Sequence, residues 1–326
     1  MKVSVVIPCF NEDKTIRLLL EALYQQTFPR DQLEVLIADG MSQDHTRDEI
    51  AAFQQQRPDL IIRIVDNPPR TIPSALNRAI AAAQGEYIVR LDAHSIPQAN
   101  YLSLCVQGLE AGAGDNVGGV WDIQPGGAGW QARAIALAAA HPIGVGDARY
   151  RYGQEAQKVD TVPFGAFRRS LIERIGPFDE SLLTNEDYEF NARLRQAGGV
   201  VWMNPDIRST YFARSTYQEL ARQYWRYGYW KVRMLRRYPG TLRWRQALPP
   251  AFVASLLMVL FLSIWIPILR WVFVLELASY ALVLLGVGIQ TAVKKKDMAL
   301  LFSVPAAIAV MHLAWGSAFL WSMITR

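Results

Sequence analysis

Beyond Pro250 the chain all but stops carrying charge, and this constrains the fold more than anything else in the sequence. Segments at about 251–267, 271–290 and 298–324 are each long enough to span or nearly span a bilayer, which takes about 20 helical residues. Glu276 is the only acidic residue within them, and an ionisable group there is costly. Buried core helices are the alternative reading, and the weaker one for three such runs in succession. The expectation is a transmembrane region over 247–326.

Charge sets the orientation. The chain has 326 residues, with 34 Lys and Arg against 29 Asp and Glu, a net +5. The basic residues crowd between Arg208 and Arg245 and again at Lys294-Lys295-Lys296. Such patches suit nucleic acid or anionic lipid, and apolar neighbours favour lipid. The positive-inside rule puts both clusters in the cytoplasm and the 267–270 turn outside, so everything ahead of the tail faces the cytoplasm. Trp244, Trp265, Trp271 and Trp321 fall near span ends, as interfacial aromatics do. Met1-Lys2 leads straight into a strand too short for a signal core. Two cysteines, Cys9 and Cys105, make no disulfide framework and suit a reducing compartment.

From residue 1 to about 212 the pattern alternates. Strands are expected at 3–8, 33–39, 61–65 and 87–91, with amphipathic helices at 13–26, 46–56 and 74–83 between them. This rhythm predicts an α/β domain, a mostly parallel sheet covered on both faces. Glycines around 112–119 and 126–129 mark loops, and 141–159 reads as a mobile loop. Residues 213–246, basic and aromatic, predict amphipathic interfacial helices.

Ligands of open α/β sheets sit beyond the carboxyl ends of strands. Three of those ends carry polar residues here: Pro8-Cys9-Phe10-Asn11-Glu12, then Asp39 through Thr46, then Asp92-Ala93-His94. A carboxylate and an imidazole one residue apart can turn toward one divalent cation, with diphosphate oxygens completing the shell. A surface turn with a helix cap is the plainer reading of that triplet alone. Several acidic strand ends on one edge point to a nucleotide. There is no Walker A run and no G-x-G-x-x-G after the first strand. Further on, Asn185-Glu186-Asp187 opens a helix, where acidic residues favour the dipole.

Together these stretches, with Gly85-Glu86-Tyr87 and Gly176-Pro177-Phe178-Asp179-Glu180 ahead of Glu186-Asp187, resemble the GT-A nucleotide-sugar transferases of inverting family 2. The resemblance implies a Rossmann-like GT-A fold. Pro8, Asn11, Glu12, Asp39, Asn67, Arg70, Asn77 and Asp92 would meet the donor, and Asp92 and His94 would hold Mn²⁺ or Mg²⁺. Asp187, beside Glu186, would be the catalytic base. Two departures stand out: Gly40 replaces the usual second acidic residue, and the D-x-D is D-x-H. Gln223-Tyr224-Trp225-Arg226-Tyr227 resembles the Q-x-x-R-W motif of membrane-bound polysaccharide synthases, with Tyr227 where Trp is usual. By that likeness Gln223, Arg226 and Tyr227 would serve the diphosphate and acceptor. An interfacial helix explains the same residues without a substrate.

The arrangement is most similar to succinoglycan-type glucosyltransferases that extend lipid-linked exopolysaccharide. It implies a multi-pass protein of a bacterial inner membrane, taking UDP-glucose to a polyprenyl-diphosphate-linked saccharide, with no nucleic-acid partner. The rivals are a polyprenyl-phosphate monosaccharide transferase, a processive synthase and an inactive membrane scaffold.

Overall fold

A computed structural model describes residues 1–325. The chain forms two compact units, one of residues 1–122 and 152–211, the other of 123–151 and 212–326. The second unit thus joins the tail from 212 onward to a piece from the middle of the chain, residues 123–151.

In the first unit β1 (Val3–Cys9), α1 (Ile16–Tyr24), β2 (Leu33–Asp39), α2 (Thr46–Gln56), β3 (Ile61–Asp66), α3 (Ile72–Ala82) and β4 (Tyr87–Arg90) follow the predicted alternation. Then come β5 (Ile96–Pro97), α4 (Tyr101–Glu110) and β6 (Asn116–Gln124). The second unit's inserted piece carries α5 (Trp130–Ala139) and α6 (Pro142–Val145). The first unit resumes with β7 (Gln157–Lys158), β8 (Ala166–Arg168), α7 (Ser170–Ile175), α8 (Glu186–Gln196) and β9 (Val201–Phe212). The tail is helical throughout: α9 (Tyr217–Arg237), α10 (Trp244–Leu262), α11 (Ile268–Lys295) and α12 (Leu300–Ile324).

The sheet runs β3-β2-β1-β4-β8-β6-β9-β5, with β7 beside β9. Its first four strands are parallel, as expected. The pairs β4–β8, β6–β8, β5–β9 and β7–β9 are antiparallel, so the sheet is mixed. Two loop expectations are corrected. Gly118 and Gly119 lie inside β6, and the stretch at 141–159 contains α6 and β7.

Burial explains the parallel half. All seven residues of β2 are buried, as a strand covered on both faces requires. On α1, Ile16, Leu19, Leu20 and Leu23 recur at helical spacing and are fully buried against it, each worth about 1.5–3 kcal/mol. With β1, β2, β3 and β4 packed side by side, their carboxyl ends share one edge. That edge is where the chemistry gathers.

Candidate active site

The ends of β1 and β2 are stitched together by backbone and short side chains. Asn11 N–H donates to Ser42 Oγ at 2.9 Å, Gln43 N–H to Asn11 Oδ1 at 2.9 Å, and Glu12 N–H to Thr46 Oγ1 at 2.8 Å. Pro8 sits inside β1 opposite Ala38. Asp39, at the last position of β2, is fully buried, and its carboxylate accepts from Ser42 N–H (3.1 Å), Ser42 Oγ (2.5 Å) and Arg47 Nε (2.6 Å). Arg47 also reaches Asp66 at 2.6 Å. A Cβ on Gly40 would come within 3.1 Å of the Phe10 ring, so Phe10 crowds the space that a side chain at position 40 would need.

The loop after β3 holds itself in shape. Asn67 is buried and donates to Thr71 O, while Arg70 is exposed, in left-handed backbone, with its guanidinium 5.4 Å from the Phe10 ring centre. Arg70 thus keeps the access a donor contact needs. Asn77 does not. Its amide nitrogen donates to Phe178 O and Glu180 Oε1, both at 2.9 Å, and its oxygen accepts Phe178 N–H at 2.9 Å. This residue, expected on the donor, instead clasps the loop that leads to α8. Arg193 grips the same loop through Gly176 O and Pro177 O, and Phe178 stacks on Phe190 at 4.4 Å.

The decisive contact lies beyond β4. One nitrogen of the Arg90 guanidinium, NH2, lies 2.8 Å from Glu186 Oε1 and 3.3 Å from Asp92 Oδ1. A single buried cation therefore joins the strand-end carboxylate to Glu186 at the start of α8, 96 residues beyond Arg90 in the chain. Asp187 follows Glu186 at the start of α8 and accepts its neighbour Tyr188 N–H at 2.7 Å. Burial and then the charge of Glu186 push the Asp187 carboxyl up to about 7, against the pull of Arg90. The expectation that the helix N-terminus lowers this carboxyl's pKa is not met: desolvation and the charge of Glu186 raise it. Sequence reading missed Arg90 altogether. Its signal was a charged residue inside an otherwise apolar strand, which has to be paired.

His94 turns Nδ1 toward Glu12 Oε1 at 3.1 Å. Burial raises the Glu12 carboxyl, but hydrogen bonds from His94 and Thr15 outweigh it and hold it below the usual range. An imidazole whose Nδ1–H is given to a carboxylate presents its lone pair at Nε2, the arrangement that commonly orients a metal-binding histidine. Among the described residues no three His, Cys, Asp or Glu side chains form a metal cage. A cation here would take Asp92 and His94 and complete its shell with donor phosphate and water, as Mg²⁺ and Mn²⁺ accept. The residues present fit such an ion.

Residues 4–176 match the family model described as glycosyl transferase family 2. The chain belongs to that family. Over 319 residues it is 31% identical to succinoglycan biosynthesis protein ExoA of Rhizobium meliloti, covering 97% of this chain and 93% of that one. A Methanococcus voltae dolichyl N-acetyl-alpha-D-glucosaminyl phosphate 3-beta-D-2,3-diacetamido-2,3-dideoxy-beta-D-glucuronosyltransferase is 28% identical, covering 79% of this chain and 81% of that protein. Among solved structures, mannosyltransferase PcManGT from Pyrobaculum calidifontis aligns with all of this chain and 88% of its own at TM-score 0.63 and 20% identity. Staphylococcus aureus TarS 1-349 aligns with 69% of this chain and 65% of its own at TM-score 0.52 and 19% identity. The family 2 enzyme is a glycosyltransferase on a GT-A fold, as the resemblance implied.

Gln223, Arg226 and Tyr227 lie on α9, in the second unit. Gln223 Nε2 donates to Tyr227 Oη at 3.1 Å, and Arg226 is exposed. The helix carries a capping box from Thr216 and Glu219, so its start is set locally.

Proposed function

We propose that this family 2 enzyme transfers glucose from UDP-glucose to a polyprenyl-diphosphate-linked saccharide, with inversion at C1, in exopolysaccharide assembly at the cytoplasmic face of a bacterial inner membrane. The likeness to ExoA along nearly the whole chain supports the pathway class. TarS was crystallised with UDP and PcManGT with GDP-Man and Mn²⁺, which supports a nucleotide-sugar donor and a divalent ion. The C-terminal helices, three of them long and apolar enough to cross a membrane, support a lipid-borne acceptor.

The observation that carries the reading is the Arg90 bridge, which brings Asp92 and the Glu186-Asp187 pair to one place. Asp92 and His94 would hold Mn²⁺ or Mg²⁺, with Glu12 fixing the histidine tautomer. Such an ion, when bound, offsets charge gathering on the departing UDP. Arg70 faces the diphosphate. The nucleobase lies by Asp39, whose carboxylate trades a contact from Arg47 or Ser42 for one from the base. An acceptor hydroxyl beside Asp187 passes its proton to the carboxylate as its oxygen bonds C1. The C1–O bond to UDP breaks, and its electron pair leaves with the diphosphate. A carboxyl titrating near 7 is basic enough to take that proton and ionised enough to act.

The test is Asp187→Asn assayed on two acceptors, a lipid-linked oligosaccharide and polyprenyl phosphate. A hydroxyl acceptor needs the base, whereas a phosphate arrives already ionised. Full turnover of the variant onto polyprenyl phosphate, with none onto oligosaccharide by either form, overturns the proposal.

A further inference from the structure

The three long apolar helices of the second unit are not alike. On α10 and α11, Ser263 is the one buried residue between Val253 and Leu284, and this stretch is uncharged apart from Arg270 and Glu276. By contrast, 39% of the apolar stretch of α12 is buried, against 17% in α11. The helix that packs on α12 most extensively is α9, which carries charge along its length and is tied to α12 through polar groups at both ends. Tyr217 Oη at the start of α9 donates to Ser303 O at 2.8 Å, and Arg236 at its end donates to Ser322 O at 2.7 Å. Midway, a Cβ on Gly228 would strike the Trp315 carbonyl. The separation in sequence stays at 86 or 87 residues throughout, so α9 and α12 run parallel and touching along their shared length. That length is about 31 Å for the 21 residues of α9.

A helix tied to α12 in this way goes wherever α12 goes. Were α12 to cross a bilayer, Arg222 and Arg226, both exposed and near the middle of α9, would be drawn through the hydrocarbon with it. Further polar structure lies on α12: Arg133 on α5 pairs with Asp297 just ahead of it at 3.0 Å, and His312 Nε2 lies 3.0 Å from Ile143 O on α6. We propose that α12 does not cross the membrane. It is the core helix of the second unit, lying with α9 at headgroup level, while the α10–α11 hairpin alone enters the lipid and returns the chain to the side it left. The exposed part of α11, 268–283, is about 24 Å long, most of a hydrocarbon core of about 30 Å. Lys294-Lys295-Lys296 then marks the return to the cytoplasmic surface.

The full chain tests this with two readouts in one membrane preparation. A C-terminal fusion is made to a fluorescent protein that matures only in the cytoplasm, and in parallel to a phosphatase active only outside. Lys295→Cys is labelled with an impermeant maleimide in inverted and right-side-out vesicles; Cys9 and Cys105 are buried and stay silent. The expected result is fluorescence without phosphatase activity, with residue 295 labelled from the same side. Phosphatase activity with residue 295 labelled from the cytoplasmic side places the two ends of α12 on opposite faces and overturns the proposal.

Discussion

Two carboxylates at element ends, Asp39 closing β2 and Asp187 opening α8, have opposite fates. Asp39 is surrounded by donors: a backbone N–H, a hydroxyl and a guanidinium all point at it. Asp187 has one hydrogen bond from the next residue along, lies beside Glu186, and is pushed up to about 7. The first is a strut that holds Arg47 and Ser42 at the strand end. The second is left short of donors, which is what raises its pKa and suits it to the base role proposed above. Both are single Asp letters near an element end, and only their neighbours separate them.

The comparison breaks first at Asp187. Asp187→Asn should lower kcat by about 10²–10⁴-fold, the worth of a positioned base, while calorimetry finds UDP binding unchanged. Next comes the cation that makes the difference tolerable. Arg90→Met leaves Asp92 and Glu186 facing each other without it, and removing one partner of a buried pair costs about 3–5 kcal/mol. Chemical denaturation of the first unit should register that loss, and a variant as stable as the parent would mean the bridge is not formed. Asp39→Asn should cost less, about 1–2 kcal/mol, because Arg47 is partly in solvent. It should also raise the donor KM more than it lowers kcat.

The smallest expected effect is a pH dependence, and its sign is set by the direction of the Asp187 shift. A base must be ionised, so kcat/KM should fall roughly tenfold per pH unit below about 7 and level off above. Stability moves the other way. A carboxyl raised in the folded state lends stability at pH below its ordinary range, and that contribution is lost as pH rises through 7. Asp187→Asn should therefore gain in Tm over the parent between acidic pH and pH 8. A rate profile flat from pH 6 to 8 would place the base elsewhere.

Much of this was legible in advance. Strand ends, the D-x-H and the Glu186-Asp187 pair are local patterns, and a parallel α/β rhythm brings such ends to one edge. What stayed hidden was set by partners far away in the chain. Nothing near Asn77 tells that its amide meets Phe178, 101 residues on. The antiparallel insertion of β8 beside β4 left no periodic signal of its own. Hydropathy likewise could not tell α12 from α11, since both are apolar and only α12 has a charged helix along its flank.

The Asn77 clasp has one more consequence. Because α3 begins just after Arg70 and Asn77 on that helix grips Phe178 by both its N–H and its C=O, the donor loop and the segment ahead of Asp187 form one mechanical piece. If a nucleotide sugar moves α3 as it settles, the segment ahead of Asp187 moves too. Arrival of the first substrate would then tune the site for the second, without a separate lid.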